Sequence, residues 1–425
     1  MRTKAEEAKK ERAPKNEYEP MIDSDSSATD RKKVIAALMS KINGDAKYTV
    51  IAPADEVVNP YFLRRPSGIM QLDIDTGGGL PAGGVSMLTG PDNSGKSFLL
   101  YKYCAQHQRL YGSQSAIAFA PVEGAPDYFF MRKCGFMIAI PDPMIEERNK
   151  QRKLQGRPPY TKEERAELKR QIGTVAILGA QNGEDLLDAV HETVRRNVFG
   201  IVGIDSLTAI QPQEIAKQES LHDGGRRASH ATLATNFFQR LYPFLIGMWG
   251  RNDTTIICTQ QVRANAAKAN ALPHLQKYIR DWAPAGAYAT RHGKMIDLLV
   301  WDGGKIRKGK TQSEAGEIVG KYMTWETEKG KAGTHDNIRG EVPFIYETLT
   351  NDLDGVVTTG IRYKAIVEDD GYLSLVRAQT GEIFDGWKKL AGPQRFIEKM
   401  RENIEAELFV RQEILMHAEI ECAYR

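Results

Sequence analysis

An α/β fold built on a mostly parallel sheet is predicted for this 425-residue chain by three observations. Short, nearly continuous apolar runs recur along it, such as Ala116-Ile-Ala-Phe-Ala and Phe199-Gly-Ile-Val-Gly-Ile204. Helix-like stretches separate these runs, which is the pattern of strands buried on both faces by covering helices. One run, Val85-Ser-Met-Leu-Thr, leads directly into a glycine-rich loop that opens a helix.

That loop reads Gly90-Pro91-Asp92-Asn93-Ser94-Gly95-Lys96-Ser97. Its strand–loop–helix context turns backbone N–H groups and the positive end of a helix dipole toward the β- and γ-phosphates of a nucleoside triphosphate. Lys96 is expected to reach the β/γ oxygens and Ser97 to ligate Mg²⁺. ATP with Mg²⁺ is therefore the expected cofactor pair.

In chain order, residues 1–29 carry mixed charge, Pro14, Pro20 and Ser24-Asp-Ser-Ser, too little apolar area to order alone, and read as a disordered tail. Residues 30–48 form a short helix and linker: Asp30 is the expected N-cap, and Val34, Leu38 and Ile42 share one face. A lone helix of this length is marginal in water, so that face must dock on its own core or on a neighbouring subunit.

Residues 49–346 make the core. A turn-rich approach, Ser67 to Gly84, precedes the phosphate loop, and the expected strands after it are Ala116–Ala120, Thr174–Leu178, Phe199–Ile204, Thr254–Cys258 and Ile296–Trp301. Residues 145–171 interrupt the pattern with a charged segment and a capping box, Thr161-Lys-Glu-Glu164, the mark of a solvated surface insertion. Residues 347–425 read as a small C-terminal α/β subdomain ending in a helix on which Phe396, Met400, Ile404 and Leu408 recur every fourth position.

Composition excludes several classes. No apolar run approaches the roughly 20 residues of a membrane span, and the charged opening Met-Arg-Thr-Lys-Ala-Glu-Glu is no secretory leader, so a cytoplasmic protein is expected. Cys104, Cys134, Cys258 and Cys422 lack the spacing of a disulfide framework or zinc ribbon and read as buried hydrophobes. The net charge of +3 is too small to imply nucleic acid by itself, so DNA binding must rest on local clusters.

Two carboxylates fit the phosphate-loop chemistry. Asp205 ends the apolar run Ile201-Val-Gly-Ile, where such an ATPase holds Mg²⁺ through its water shell. Glu123 follows the run expected to neighbour the phosphate-loop strand, where it could polarise the water that attacks the γ-phosphate.

In order, Gly90–Ser97, Glu123-Gly-Ala-Pro-Asp127-Tyr-Phe-Phe130-Met-Arg-Lys-Cys-Gly, Ile204-Asp205-Ser206-Leu-Thr-Ala and Gln261-Val-Arg263 resemble the bacterial RecA recombinases and their phage UvsX-type relatives. The approach segment Gly79-Leu-Pro-Ala-Gly is similar too, and the likeness runs from about Asp30 to about Arg411. The resemblance implies a RecA-like ATPase core with an N-terminal docking helix. It makes Glu123 the water-activating residue and places Asp127 and Phe130 beside the adenine, Phe130 standing where the family often has Tyr. It also makes Gln261, after the strand Thr255–Thr259, the sensor that passes the γ-phosphate signal to two DNA-binding loops.

The first loop, Gln211 to about Ser229, carries Arg226 and Arg227; the second, Arg263 to about Gly286, carries Lys268, His274, Lys277, Tyr278, Arg280 and Trp282. Interleaved cations and aromatics suit single-stranded DNA. The resemblance further implies that Lys329 and Lys331 reach the ATP of the adjacent protomer. The insertion at 145–171 and the lack of an acidic C-terminal tail depart from the bacterial pattern and point to a divergent phage enzyme.

The expected function is thus an ATP-dependent strand-exchange recombinase that forms a filament on single-stranded DNA, acts on double-stranded DNA, and works with loader and single-strand-binding proteins. A hexameric helicase on the same core, or a nucleotide-binding scaffold without turnover, are the alternatives. Glu123, the helix at 30–42 and the lysine pair argue against them.

Overall fold

The computed structural model describes residues 28–44, 51–53, 63–216, 227–246, 252–264, 282–284, 293–308, 316–350 and 352–420. The chain forms two units, Met1–Val57 and Val58–Arg425. In the first, the helix Ala28–Gly44 begins two residues before Asp30, so Asp30 lies inside the helix rather than capping it. Val34, Ile35 and Leu38 are exposed, and Asn43 both donates to and accepts from the backbone of Ile51.

In the second unit β1 (Arg64–Arg65) and β2 (Leu80–Pro81) pair antiparallel. The main sheet consists of β3 (Val85–Gly90), β4 (Ala116–Pro121), β5 (Thr174–Ile177), β6 (Ile201–Asp205), β7 (Thr255–Ala264), β8 (Trp282–Pro284), β9 (Lys294–Arg307), β10 (Ile318–Gly330) and β11 (Arg339–Ile345). Its order is β11-β10-β9-β3-β7-β6-β4-β5, with β8 paired to β7. From β9 to β5 every pairing is parallel, while β10, β11 and β8 join antiparallel.

Every residue of β3 is buried. Side chains alternate across a strand, and here Leu88 enters one apolar cluster with Phe98, Leu99 and Leu100 of the helix Lys96–Tyr111. Val85 and Met87 enter another, with Val190 and Val194 of the helix Gly183–Arg196 and Phe238 and Leu241 of the helix Arg227–Ile246. The parallel sheet is therefore covered on both faces, as the apolar runs require. Cys104, Cys134 and Cys258 are buried and free; Cys422 lies outside the described residues.

Three expectations differ from the structure. The strand before Glu123, β4, does not neighbour the phosphate-loop strand: β7 and β6 lie between them, and the composition of an apolar run does not say which strand it pairs with. Strand β7 continues through Gln261 to Ala264, since pairing with β8 extends it past Thr259. Lys329 lies within β10. The final helix is two, Gly392–Arg401 and Ile404–His417, because Asn403 caps the second by accepting from Ala406 N at 2.6 Å. Ile404 is consequently exposed, and Val410, Ile414 and Leu415 supply the buried face.

A separate three-stranded sheet of β12 (Ile366–Asp369), β13 (Tyr372–Leu375) and β14 (Leu390–Ala391) packs with those helices and Asp352–Arg362 around Phe396, Met400, Val410 and Ile414. The cluster also takes in Met70 and Ile74 of the short helix Met70–Asp75. The charged insertion folds as two helices, Asp142–Leu154 and Lys162–Lys169, the second opened by the expected Thr161/Glu164 capping box.

Candidate nucleotide site

The site is assembled where β3 and β6 end, beside Gln261 of β7. Gly90 closes β3 beside Gln261 of β7, and a Cβ at Gly90 would strike the carbonyl oxygen of Val300 on β9. Gly95 holds φ 107° and a side chain there would lie 2.8 Å from Met323 Sδ of β10. Both positions therefore need glycine for conformation or space. Asn93 sits in the left-handed region at φ 59°, which asparagine tolerates better than most residues. The helix then begins at Lys96, with Gly95 as its N-cap.

Lys96 is buried and donates to the carbonyls of Gly90 (3.0 Å) and Pro91 (2.6 Å). Burial pulls its pKa down, while the charges of Asp92, Glu123 and Asp205 oppose that shift. Ser97 Oγ donates to Asp205 Oδ1 at 3.2 Å, and Thr259 Oγ1 donates to the same oxygen at 2.6 Å. Burial raises the Asp205 pKa, and these two donors work against it. The peptide bond from Asp205 to Ser206 is cis.

Glu123 reaches this cluster through the backbone. Val122 N and Glu123 N both donate to Asp205 O, at 2.6 and 3.1 Å, so the end of β6 fixes the residue that follows β4. Gln261 Nε2 then donates to Glu123 Oε1 at 3.2 Å. Lys96, Ser97, Asp205, Glu123 and Gln261 are thus brought together from four separate segments.

Asp127 caps the helix Tyr128–Lys133 by accepting from Phe130 N at 3.0 Å. Phe130 packs edge-on against Tyr101, with centroids 6.0 Å apart, and Tyr101 lies one turn past Ser97 on the helix that begins at Lys96. An aromatic face beside the phosphate loop suits a nucleobase. Ser97 and Asp205 are hard oxygen donors of the kind Mg²⁺ takes when phosphates and water complete its shell, and among the described residues no three His, Cys, Asp or Glu side chains could hold a metal alone.

Lys329 and Lys331 are not brought to this loop. Lys329 stands opposite Asp297, which stands beside Met87 of β3. Three residues of strand, about 10 Å, separate Met87 from Gly90. Lys329 is drawn toward neutrality chiefly by burial and then by the charges of Lys331 and Lys294.

Of the expected DNA contacts, Arg226, Lys268, Lys277 and Arg280, together with His274 and Tyr278, lie outside the described residues. Arg227 begins the helix Arg227–Ile246, and Arg263 pairs in backbone register with Ala283, beside Trp282. The second loop therefore springs from paired strands.

Sequence reasoning missed Thr259, which holds Asp205, and Lys321 of β10, which donates to the Asn93 carbonyl. The signal for Lys321 was the alternation around Met323 and Trp325, buried positions two apart that mark β10.

No family model matches the chain. It is similar to the RecA protein of Petrotoga mobilis, 26% identical over 268 residues that make up 63% of this chain and 57% of that one. It is also similar to the RecA protein of Pseudarthrobacter chlorophenolicus, 24% identical over 360 residues, covering 84% and 85% of the two chains. The chloroplastic DNA repair protein recA homolog 1 of Arabidopsis thaliana is 24% identical over 298 residues, 69% of this chain and 55% of its own. The chain thus spans little more than half of two of these relatives and most of the third. These likenesses support a RecA-family reading of the α/β core.

Proposed function

We propose that this protein is an ATP-dependent DNA strand-exchange recombinase of the phage UvsX type. It polymerises on single-stranded DNA with ATP and Mg²⁺ between adjacent protomers, then pairs that strand with a duplex. The observation that carries the reading is the hydrogen bond from Gln261 to Glu123 beside Lys96, Ser97 and Asp205. It joins a residue that polarises water to the strand from which the second DNA loop leaves.

In this reading Glu123 Oε1 takes the proton of the attacking water, and Lys96 neutralises charge on the β/γ oxygens. Ser97 and, through water, Asp205 would hold Mg²⁺, which when bound would supply Lewis-acid stabilisation of the transferring phosphoryl group. Asp127 and Phe130 seat the adenine. Gln261 loses or gains its γ-phosphate partner with nucleotide state and shifts β7, so ATP acts as a population switch on the DNA loops. Those loops present Arg226, Arg227, Arg263, Lys268, Lys277 and Arg280 to DNA.

Strand register supports a site shared between protomers. Lys329 and Lys331 lie toward the far end of β3 from their own phosphate loop, so they serve a neighbour's ATP. The helix Ala28–Gly44, with exposed Val34, Ile35 and Leu38, docks on that neighbour. Residues 347–425 form an accessory subdomain, and the protein works in the cytoplasm of a phage-infected host with loader and single-strand-binding partners. No helix among the described residues is long and apolar enough to cross a membrane.

Imaging the protein on single-stranded DNA with a non-hydrolysable ATP analogue tests the reading. A helical filament is expected. Closed rings would assign a helicase, and discrete particles a scaffold.

A further inference from the structure

The charges of the inserted hairpin are sorted by height. At its base, acids and bases neutralise one another: Arg165 pairs with Glu146, and Lys169 with Asp142 at 2.7 Å. Arg132 of the core meets Glu167 at 3.1 Å and donates to the carbonyls of Ile138 and Arg170. Ile145, fully buried, fastens the first helix to the core. The base is therefore a zipped and anchored stalk.

The tip is different. From Arg148 to Lys162 there are six cations, Arg148, Lys150, Arg152, Lys153, Arg157 and Lys162, and no carboxylate. Lys150 meets Glu147 at 3.3 Å, with both side chains largely exposed, a pair worth little in water. Lys153, Arg157 and Lys162 meet no carboxylate among the described residues. Arg152 lies over the Tyr160 ring at 4.3 Å and donates to Pro158 O at 2.8 Å. Tyr160 N donates to Asn149 Oδ1 at 2.8 Å, which ties the returning chain to the first helix. Leu154 is 89% exposed, more than any other large apolar side chain among the described residues. Lys150, Lys153 and Leu154 share one helix face by their spacing.

A stable protein interface buries about 800 Å² on each partner around an apolar centre. One leucine among cations does not supply that centre. A polyanion needs only cations along its phosphates, and a lone apolar side chain between them suits a wedge at a base step. Single strands are bound largely by stacking on aromatic faces, but the Tyr160 face is already covered by Arg152. A stiff cationic tip without a stacking platform matches the regular backbone of a duplex.

We propose that the hairpin tip, residues 148–162, is a second DNA-binding surface that grips duplex phosphates through Lys150, Lys153, Arg157 and Lys162 and sets Leu154 into the minor groove. The proposal takes its class of partner from the recombinase reading and adds a contact outside the two loops.

The test measures binding of the full-length protein to labelled duplex and single-stranded oligonucleotides across a salt series. The variant Lys150→Ala/Lys153→Ala/Arg157→Ala/Lys162→Ala is expected to lose at least about tenfold in duplex affinity, with the log–log salt slope reduced by about 3. Its single-strand affinity is expected to stay within about twofold, since stacking in the loops carries that mode. Leu154→Ser should weaken duplex binding about fivefold without changing the salt slope, because it removes a wedge and no charge. A Lys150→Arg/Lys153→Arg/Lys162→Arg variant should bind as wild type.

Unchanged duplex binding by the alanine variant, with wild-type single-strand binding intact, overturns the tip assignment alone. Wild-type protein that binds neither oligonucleotide overturns the recombinase reading and the tip with it. If poly-glutamate displaces the duplex from wild type at equal charge concentration, yet leaves the alanine variant untouched, the tip is a site for an acidic protein and the proposal is wrong.

Discussion

Gln261 Nε2 donates to Glu123 Oε1 across 3.2 Å, although their strands, β7 and β4, are separated by β6. The contact exists because Asp205 O, at the end of β6, accepts from the backbone of Val122 and Glu123 and draws the β4 loop back over its neighbour. Replacing Gln261 by Ala is expected to leave basal ATP turnover within about threefold while removing its stimulation by DNA, since general-base chemistry remains with Glu123. Phosphate release with and without single-stranded DNA checks this. Full stimulation in the Gln261→Ala protein would remove the residue from the coupling.

Thr259→Val deletes the 2.6 Å donor to Asp205 while keeping the side-chain shape. A hydrogen bond to a charged group contributes about 1.5–3 kcal/mol, so thermal unfolding should shift downward by several degrees. Turnover should fall as Asp205 loses its fixed orientation. A melting curve and a turnover rate both equal to wild type would contradict the role given to this contact.

Lys321 donates to the Asn93 carbonyl from outside the phosphate loop. Losing it is expected to loosen the loop rather than alter the chemistry: in Lys321→Ala the KM for ATP should rise about tenfold, equivalent to about 1.4 kcal/mol, with kcat within about twofold. Lys321→Arg should restore KM. A change confined to kcat would point instead to direct phosphate contact.

Stability should depend on pH through Asp73. This buried carboxyl accepts from Ser67 N, Ser67 Oγ and Gly68 N at 2.6, 2.7 and 3.0 Å. Burial nevertheless raises its pKa from 3.8 to about 6. The folded state therefore holds the proton more tightly than the unfolded chain. Its contribution is fully present below the unfolded value and is lost as pH rises through about 6, on the order of 3 kcal/mol in all. Denaturation curves between pH 4 and 7 should show this slope in wild type and a flatter one in Asp73→Asn. Equal slopes would show that other groups set it.

A shared ATP site makes a mixing prediction. Lys96→Ala and Lys329→Ala/Lys331→Ala proteins should each lack DNA-stimulated hydrolysis alone, and co-assembled on DNA they should recover part of it, because mixed interfaces contain one intact set of groups. Verified co-assembly without recovery, together with full activity of the double-lysine variant alone, would show that each protomer completes its own site.

The parallel core was legible because the apolar runs are strands and, apart from the half-exposed edge strand β5, buried ones: Ala116, Thr174, Ile201 and Thr255 all begin or enter strands of the sheet. The phosphate loop was legible because glycine is demanded at Gly90 by the Val300 carbonyl and at Gly95 by a positive φ. Strand order was not, since nothing in the composition of β4 or β7 says which of them pairs with β3. The antiparallel arm of β10 and β11 also escaped, because it lacks the continuous apolar runs of the parallel strands and many of its residues are polar and partly exposed. Lys321 and the true setting of Lys329 went unseen with it. The break at Asn403 was masked by a fourfold apolar spacing that continues across it.

The most direct test of the account is ATP turnover by wild type and Glu123→Gln protein, each with and without single-stranded DNA, alongside nucleotide-binding measurements. Wild type should hydrolyse ATP at least about tenfold faster on DNA, and Glu123→Gln should bind ATP normally while losing about 10²–10⁴ in rate, the range for a general base. Equal turnover by the two proteins, or hydrolysis indifferent to DNA in wild type, would contradict it.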